Sequence, residues 1–166
     1  MPNWCDNVAT FTGSKEQIEK LKNANGQILN VLVPTPHSEW NYDWSVANWG
    51  TKWEVDAEIV GQGEDWITVT FSSAWSPPIE AYNAAQEDGI TVNAMYYEPG
   101  MNFCGQYTDG EDQFFDIPNT GDEVREQIPE DIDEYFGIAD DRDQWAEDNP
   151  EDEDEEEDEE EEDKDE

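Results

Sequence analysis

The sequence predicts an α+β domain whose elements follow the order β-α-β-β-α-β. Three observations predict it. Apolar and polar residues alternate in separate runs, the period of a half-buried strand. Two stretches, opened by Ser14 and by Ser76-Pro77-Pro78, carry helix-start signals followed by apolar residues at helical spacing. Turn residues, among them Asn25-Gly26 and Gly61-Gln62-Gly63, punctuate the boundaries.

In order, Asn3 to Phe11 reads as the first strand, ended by Gly13. Ser14 and Gln17 have the spacing of a capping box, and Ile18 and Leu21 give the helix one apolar face. Ile28 to Val33 is an apolar run compatible with a small strand or an ordered loop. A connector rich in aromatics (Trp40, Tyr42, Trp44, Trp49, Trp53) is expected to pack over one face of the domain. Trp53, Val55, Ala57 and Ile59 then alternate with acids, predicting a strand. Ile67, Val69 and Phe71 predict its antiparallel neighbour. Ser76 is expected to cap the second helix, with prolines in its first turn and Gly89 past its end. Ile90 to Tyr96 supplies the fourth strand.

This order is the ferredoxin-like, split βαβ arrangement: a four-stranded antiparallel sheet with two helices on one face. A hairpin turning at Asp109-Gly110 extends it. Ile128, Ile132, Tyr135 and Phe136 predict one short acidic helix, and Trp145 a further turn. The expected organisation is a body over 1–118, an acidic helical extension over 119–149 and a disordered polyacidic tail over 150–166. The tail, including Glu155, Glu156 and Glu157, has fifteen acids, one Lys and no apolar residue from 151 onward, so it has nothing to bury.

The whole chain of 166 residues carries a formal charge of −38, of which that tail holds −14. The rest is still at −24, from thirty acids against six bases. Such a surface repels bare nucleic acid and anionic membranes and attracts basic protein surfaces. High solubility is the simpler consequence of the same charge. Eight Trp, six Tyr and six Phe supply the area for a core. Two cysteines are too few for a disulfide framework or a metal cage, which suggests a reduced intracellular setting. The first residues lack the charge and apolar pattern of a signal peptide, and no apolar run approaches the length of a membrane span.

Four stretches stand out: Pro2-Asn3-Trp4-Cys5-Asp6-Asn7, Asn48-Trp49-Gly50-Thr51-Lys52-Trp53, Ala74-Trp75-Ser76-Pro77-Pro78, and Tyr97-Glu98-Pro99-Gly100-Met101-Asn102-Phe103-Cys104-Gly105. Over roughly residues 1 to 140 the chain resembles the YubB-like family of plasmid- and phage-borne proteins. The resemblance implies a ferredoxin-like domain and a mobile-element origin, hence the cytoplasm of an infected or carrier bacterial cell. It implies no activity and no catalytic residues.

Chemistry-bearing patterns are sparse. His37 is the one histidine and sits between Pro36 and Ser38, with no partner pattern for a nucleophilic triad. Gly61-Gln62-Gly63 lacks the remainder of a phosphate loop, and Asp109-Gly110-Glu111-Asp112 does not match a calcium loop. The topology invites comparison with RNA-recognition domains, yet the strand after Asp65 has no basic residue, and Trp66 alone is placed to stack a base. No catalytic constellation, cofactor or metal is expected. The expected function is that of a non-enzymatic accessory protein that binds a basic host or phage protein, with DNA mimicry as its strong form. A virion or assembly component with a solubilising tail, and a small metabolite-binding domain, are the alternatives. Trp49, Lys52, Trp53 and Trp75 are the candidate contact residues of the body, and Glu155, Glu156 and Glu157 those of the tail. Lys52, between two tryptophans, is expected over an indole face or paired with a carboxylate. Trp49, Trp53, Trp75, Tyr97 and Phe103 are expected to form one patch, either a satellite core or an exposed surface.

Overall fold

The computed structural model describes residues 2–150. The chain divides into two compact units, one ending at Asp116 and one beginning at Ile117. The acidic run that contains Glu155, Glu156 and Glu157 lies outside the described residues.

The first unit holds β1 (Trp4–Thr12), α1 (Lys15–Lys22), α2 (Ile28–Leu32), α3 (Tyr42–Asn48), β2 (Glu58–Gln62), β3 (Trp66–Ala74), α4 (Ile79–Glu87), β4 (Thr91–Glu98), β5 (Phe103–Thr108) and β6 (Glu111–Asp116). The strands form one six-stranded antiparallel sheet in the order β2-β3-β1-β4-β5-β6. The expected four-stranded sheet is thus a six-stranded one, because the hairpin β5–β6 pairs onto β4. Asp109 and Gly110, both at positive φ, make its turn.

Strict alternation builds the core. Ala9 and Phe11 of β1, Ile67, Val69 and Phe71 of β3, and Val92 and Ala94 of β4 bury one face of the sheet. Ile18 and Leu21 of α1 and Ala81, Tyr82 and Ala85 of α4 close over it. Each large apolar side chain so buried contributes about 1.5–3 kcal/mol. The opposite face carries Trp4, Val8, Thr10, Thr68 and Thr70, with the Thr10 and Thr68 hydroxyls 2.8 Å apart across the ladder. The capping box of α1 is present: Ser14 Oγ accepts from Gln17 N, and Gln17 Oε1 accepts from Ser14 N. Trp66 lies across Gly61 and Gly63, where a Cβ would run into its indole.

Several expectations are corrected. The run from Ile28 is neither strand nor loop but α2, and two short helices, α2 and α3, join α1 and α4. The reason is long-range: the Glu54 carboxylate accepts the N–H groups of Leu29 and Asn30 at the start of α2. This also explains why the strand expected from Trp53 begins only at Glu58. Glu54 is drawn to α2, and Ala57 N donates to Gly26 O rather than into the sheet. Ser76 does not cap α4. Pro78 holds that position without a side-chain bond, and Ser76 Oγ donates to Gly50 O at 2.7 Å.

The second unit is three helices, α5 (Gly121–Gln127), α6 (Glu130–Phe136) and α7 (Ile138–Asp148), where one short helix and a turn were expected. Ile117, Val124, Ile128, Ile132, Ile138 and Ala139 are its buried apolar residues. Gly137, at φ +67°, ends α6 and starts α7, which permits two helices where apolar spacing alone suggests one. Arg125 reaches Asp143 at 2.7 Å, Asp140 at 3.3 Å and Asp122 at 3.4 Å, tying α5 to α7.

Candidate functional site

The four stretches singled out in the sequence converge at one end of the sheet, and Asn3 links three of them. β1 and β3 run antiparallel with Trp4 opposite Ala74, so the start of one meets the end of the other. Asn3 O accepts the N–H of Trp75 at 2.8 Å. A Cβ on Gly100 would come within 2.8–2.9 Å of the Asn3 and Glu98 side chains, which would have to shift to admit it. The turn carrying Gly100 is closed by the buried Glu98 carboxylate, which accepts from Gly100 N at 2.6 Å and Met101 N at 2.8 Å.

Trp75 is the unusual residue of this region. Its φ is +72°, a region that bulky L-residues avoid, yet its side chain is 48 % exposed. The conformation is held from both sides. Thr51 Oγ donates to Ala74 O at 2.9 Å, Ser73 Oγ donates to Ser76 O at 2.7 Å, and Ser76 Oγ donates to Gly50 O. Gly50 has φ +84°, and a Cβ there would come within 3.0–3.1 Å of the Glu80 and Ile79 nitrogens. The Gly50-Thr51 segment and the Trp75 turn therefore lock together, and the lock presents an indole to solvent.

Beside it, Trp4 is 42 % exposed, and its ring centroid lies 6.0 Å from that of the half-buried Trp53, the planes tilted by 52°. Lys52 Nζ sits 4.6 Å from the Trp53 ring centroid, the cation–π arrangement. Trp40, 57 % exposed, donates its Nε1–H to Lys52 O at 2.8 Å and packs against Tyr42. A cleft of about 410 Å³ opens here, lined by Trp4, Trp53, Glu54, Val55, Asp56 and Ser72.

Of the predicted contact residues, Lys52, Trp53 and Trp75 lie in this region with exposed or half-buried side chains. Trp49 does not: it is 5 % exposed, donates to Val33 O at 2.9 Å and packs edge-on against Trp44. Nor do the five aromatics make one patch. Trp49 pairs with Trp44, Trp53 with Trp4, and Phe103 with Tyr96 and Phe114, while Tyr97 is buried. Trp4, Trp40 and Asp56 were missed as site residues. The exposure of the two tryptophans follows from where distant segments meet, which leaves no local signal.

Burial pushes the Cys5 thiol far above its ordinary value, with Ser73 only partly opposing, which favours the neutral thiol. Cys104 is buried as well and forms no disulfide. His37 packs edge-on against Trp44. Among the described residues no group of three His, Cys, Asp or Glu is placed to hold a metal, and no helix is long and apolar enough to cross a membrane. Comparison of the chain with protein-family models, with curated proteins and with solved structures finds no match in any of the three.

Proposed function

We propose that the protein is a non-enzymatic accessory of a phage or mobile element that docks on a basic surface of a host or phage protein through its tryptophan-bearing sheet end. The observation that carries this reading is Trp75. Backbone strain of this kind costs about 1–3 kcal/mol and persists where the surroundings over-determine it. Here the strained residue carries a 48 % exposed indole at a turn held by three hydrogen bonds. Tryptophan is among the residues enriched at the energetic centres of protein interfaces. The charge of −24 on the residues before the tail selects a basic partner, and the tail adds −14 to the steering field.

Acidity throughout the chain supports DNA mimicry as the strong form, the partner being a DNA-binding protein, acting in the cytoplasm of an infected or carrier bacterial cell. The order β2-β3-β1-β4, interleaved with α1 and α4, supports the ferredoxin-like reading of the sheet, with β5–β6 as an addition. The four converging motifs support placing the chain beside the YubB-like proteins.

The test is capture from bacterial lysate at moderate salt by the full chain, a chain ending at Pro150, the tail alone and Trp75→Ala. One discrete basic protein, lost with Trp75→Ala and displaced by DNA, is the expected result. Equal capture by the tail alone and by Trp75→Ala means polyanion attraction and ends this reading. Capture by the full chain that DNA does not displace retains docking but removes mimicry.

A further inference from the structure

We infer that the cleft between Trp4 and Trp53 is a socket for one arginine side chain of the partner. The inference rests on the docking reading above and adds the chemistry of a single contact. Three features point to it. First, the cleft joins two indoles to carboxylates: Asp56 lines it exposed, Glu54 lines it with its oxygens turned to backbone N–H donors, and Asp6 stands behind Ser72, accepting its hydroxyl at 3.3 Å. Aromatic faces beside a carboxylate favour a cation over any neutral or anionic group. Second, the protein already uses one of these rings this way, since the Lys52 ammonium sits 4.6 Å from the Trp53 centroid. Third, the rings meet at a tilt of 52° with centroids 6.0 Å apart, so neither ring is stacked over the face of the other. A planar guanidinium suits an indole face with a carboxylate beside it. It stacks on one indole and keeps its edge N–H groups for Asp56, which an ammonium cannot do.

Lys52 and an incoming arginine would share the Trp53 ring. Removing Lys52 is therefore expected to strengthen arginine binding beyond the effect of removing a positive charge elsewhere. Lys20, exposed on α1, serves as that reference.

The experiment titrates the full chain with N-acetylarginine amide and, in parallel, with the neutral isostere N-acetylcitrulline amide. The readout is the indole N–H resonances of Trp4, Trp53 and Trp75. Selective shifts at Trp4 and Trp53 with arginine and none with citrulline are expected. Asp56→Asn, a surface change, is expected to weaken binding by about five-fold, and Lys52→Ala to tighten it more than Lys20→Ala does. Equal responses to both probes, uniform shifts at all three indoles, an unaffected Asp56→Asn, or Lys52→Ala no tighter than Lys20→Ala each overturn the socket. The two readings fail separately. A chain that loses its arginine response yet still captures its partner through Trp75 has lost only the socket. A chain with the arginine response but no Trp75-dependent capture has lost the docking reading.

Discussion

The Glu54 carboxylate accepts the Leu29 N–H at 3.0 Å although the two residues lie 25 positions apart. With Asn30 N at 2.8 Å and Val55 N at 3.0 Å, it caps α2 from a segment beyond α3. Replacing it by alanine orphans three donors, and Glu54→Ala is expected to cost about 1–2 kcal/mol in urea unfolding at neutral pH.

The same residue has a pH signature. Burial pushes its carboxyl above the ordinary 4.5, against the three backbone donors that pull it down. A raised acid holds its proton more tightly in the folded state than in the unfolded one. The part of its stability contribution that comes from holding the proton is therefore complete below about pH 4.5 and is lost as pH rises through the raised value, while the three donor bonds remain. The stability difference between wild type and Glu54→Gln should shift against wild type as pH rises above about 4.5. A difference that is flat, or shifts the other way, contradicts burial as the dominant influence.

Trp75→Gly is expected to raise stability by about 1 kcal/mol, because glycine takes positive φ without strain. Trp75→Ala removes the same indole but keeps the strained backbone, so it should show no such gain. Urea midpoints of the two variants decide the matter. If glycine is no more stable than alanine, the turn stores no strain and the functional reading of Trp75 loses its support.

Gly105 faces Tyr96, whose ring crosses it to donate to Asp112 Oδ1 at 2.6 Å. A Cβ at 105 would collide with the Tyr96 hydroxyl and with Gln113 O. Gly105→Ala should therefore cost about 2–3 kcal/mol, the upper part of the range for overpacking. It should also release the Tyr96 hydroxyl, whose ionisation burial and Asp112 hold far above the ordinary range. Tyrosine absorbance during an alkaline titration reports this, and an unchanged titration would mean that the ring has not moved.

Arg125 draws α5 and α7 together through Asp122, Asp140 and Asp143, and Asp143 in particular raises its proton affinity. Arg125→Gln should lower the melting temperature of the second unit, and the deficit should shrink as added salt screens the released acids. A deficit independent of salt would point to lost packing of the arginine stem instead.

Period-two alternation in β1, β3 and β4 was legible from the sequence because each residue's burial there follows from its own place in the pattern. So were the Ser14–Gln17 capping box and the Asp109-Gly110 turn, which are closed by bonds between near neighbours. The same local reading misplaced Ile28–Val33, Trp53–Ala57 and Ser76. In each case the deciding hydrogen bond comes from another segment: Glu54 to α2, Gly26 to Ala57, Gly50 to Ser76. Alternation cannot tell which acid will be borrowed as a cap.

The candidate site divides along the same line. Composition by itself determined that the chain is strongly anionic and rich in tryptophan, since charge and area add residue by residue wherever the chain goes. Which tryptophans stay exposed and which are core was decided by tertiary structure alone. Trp49 and Trp53 stand four positions apart in one motif. One is sealed against Trp44 and Val33, while the other is left open beside Trp4. An indole carries the same apolar body and the same N–H in either place, and only the partners brought to it by distant segments determine whether that surface meets protein or water.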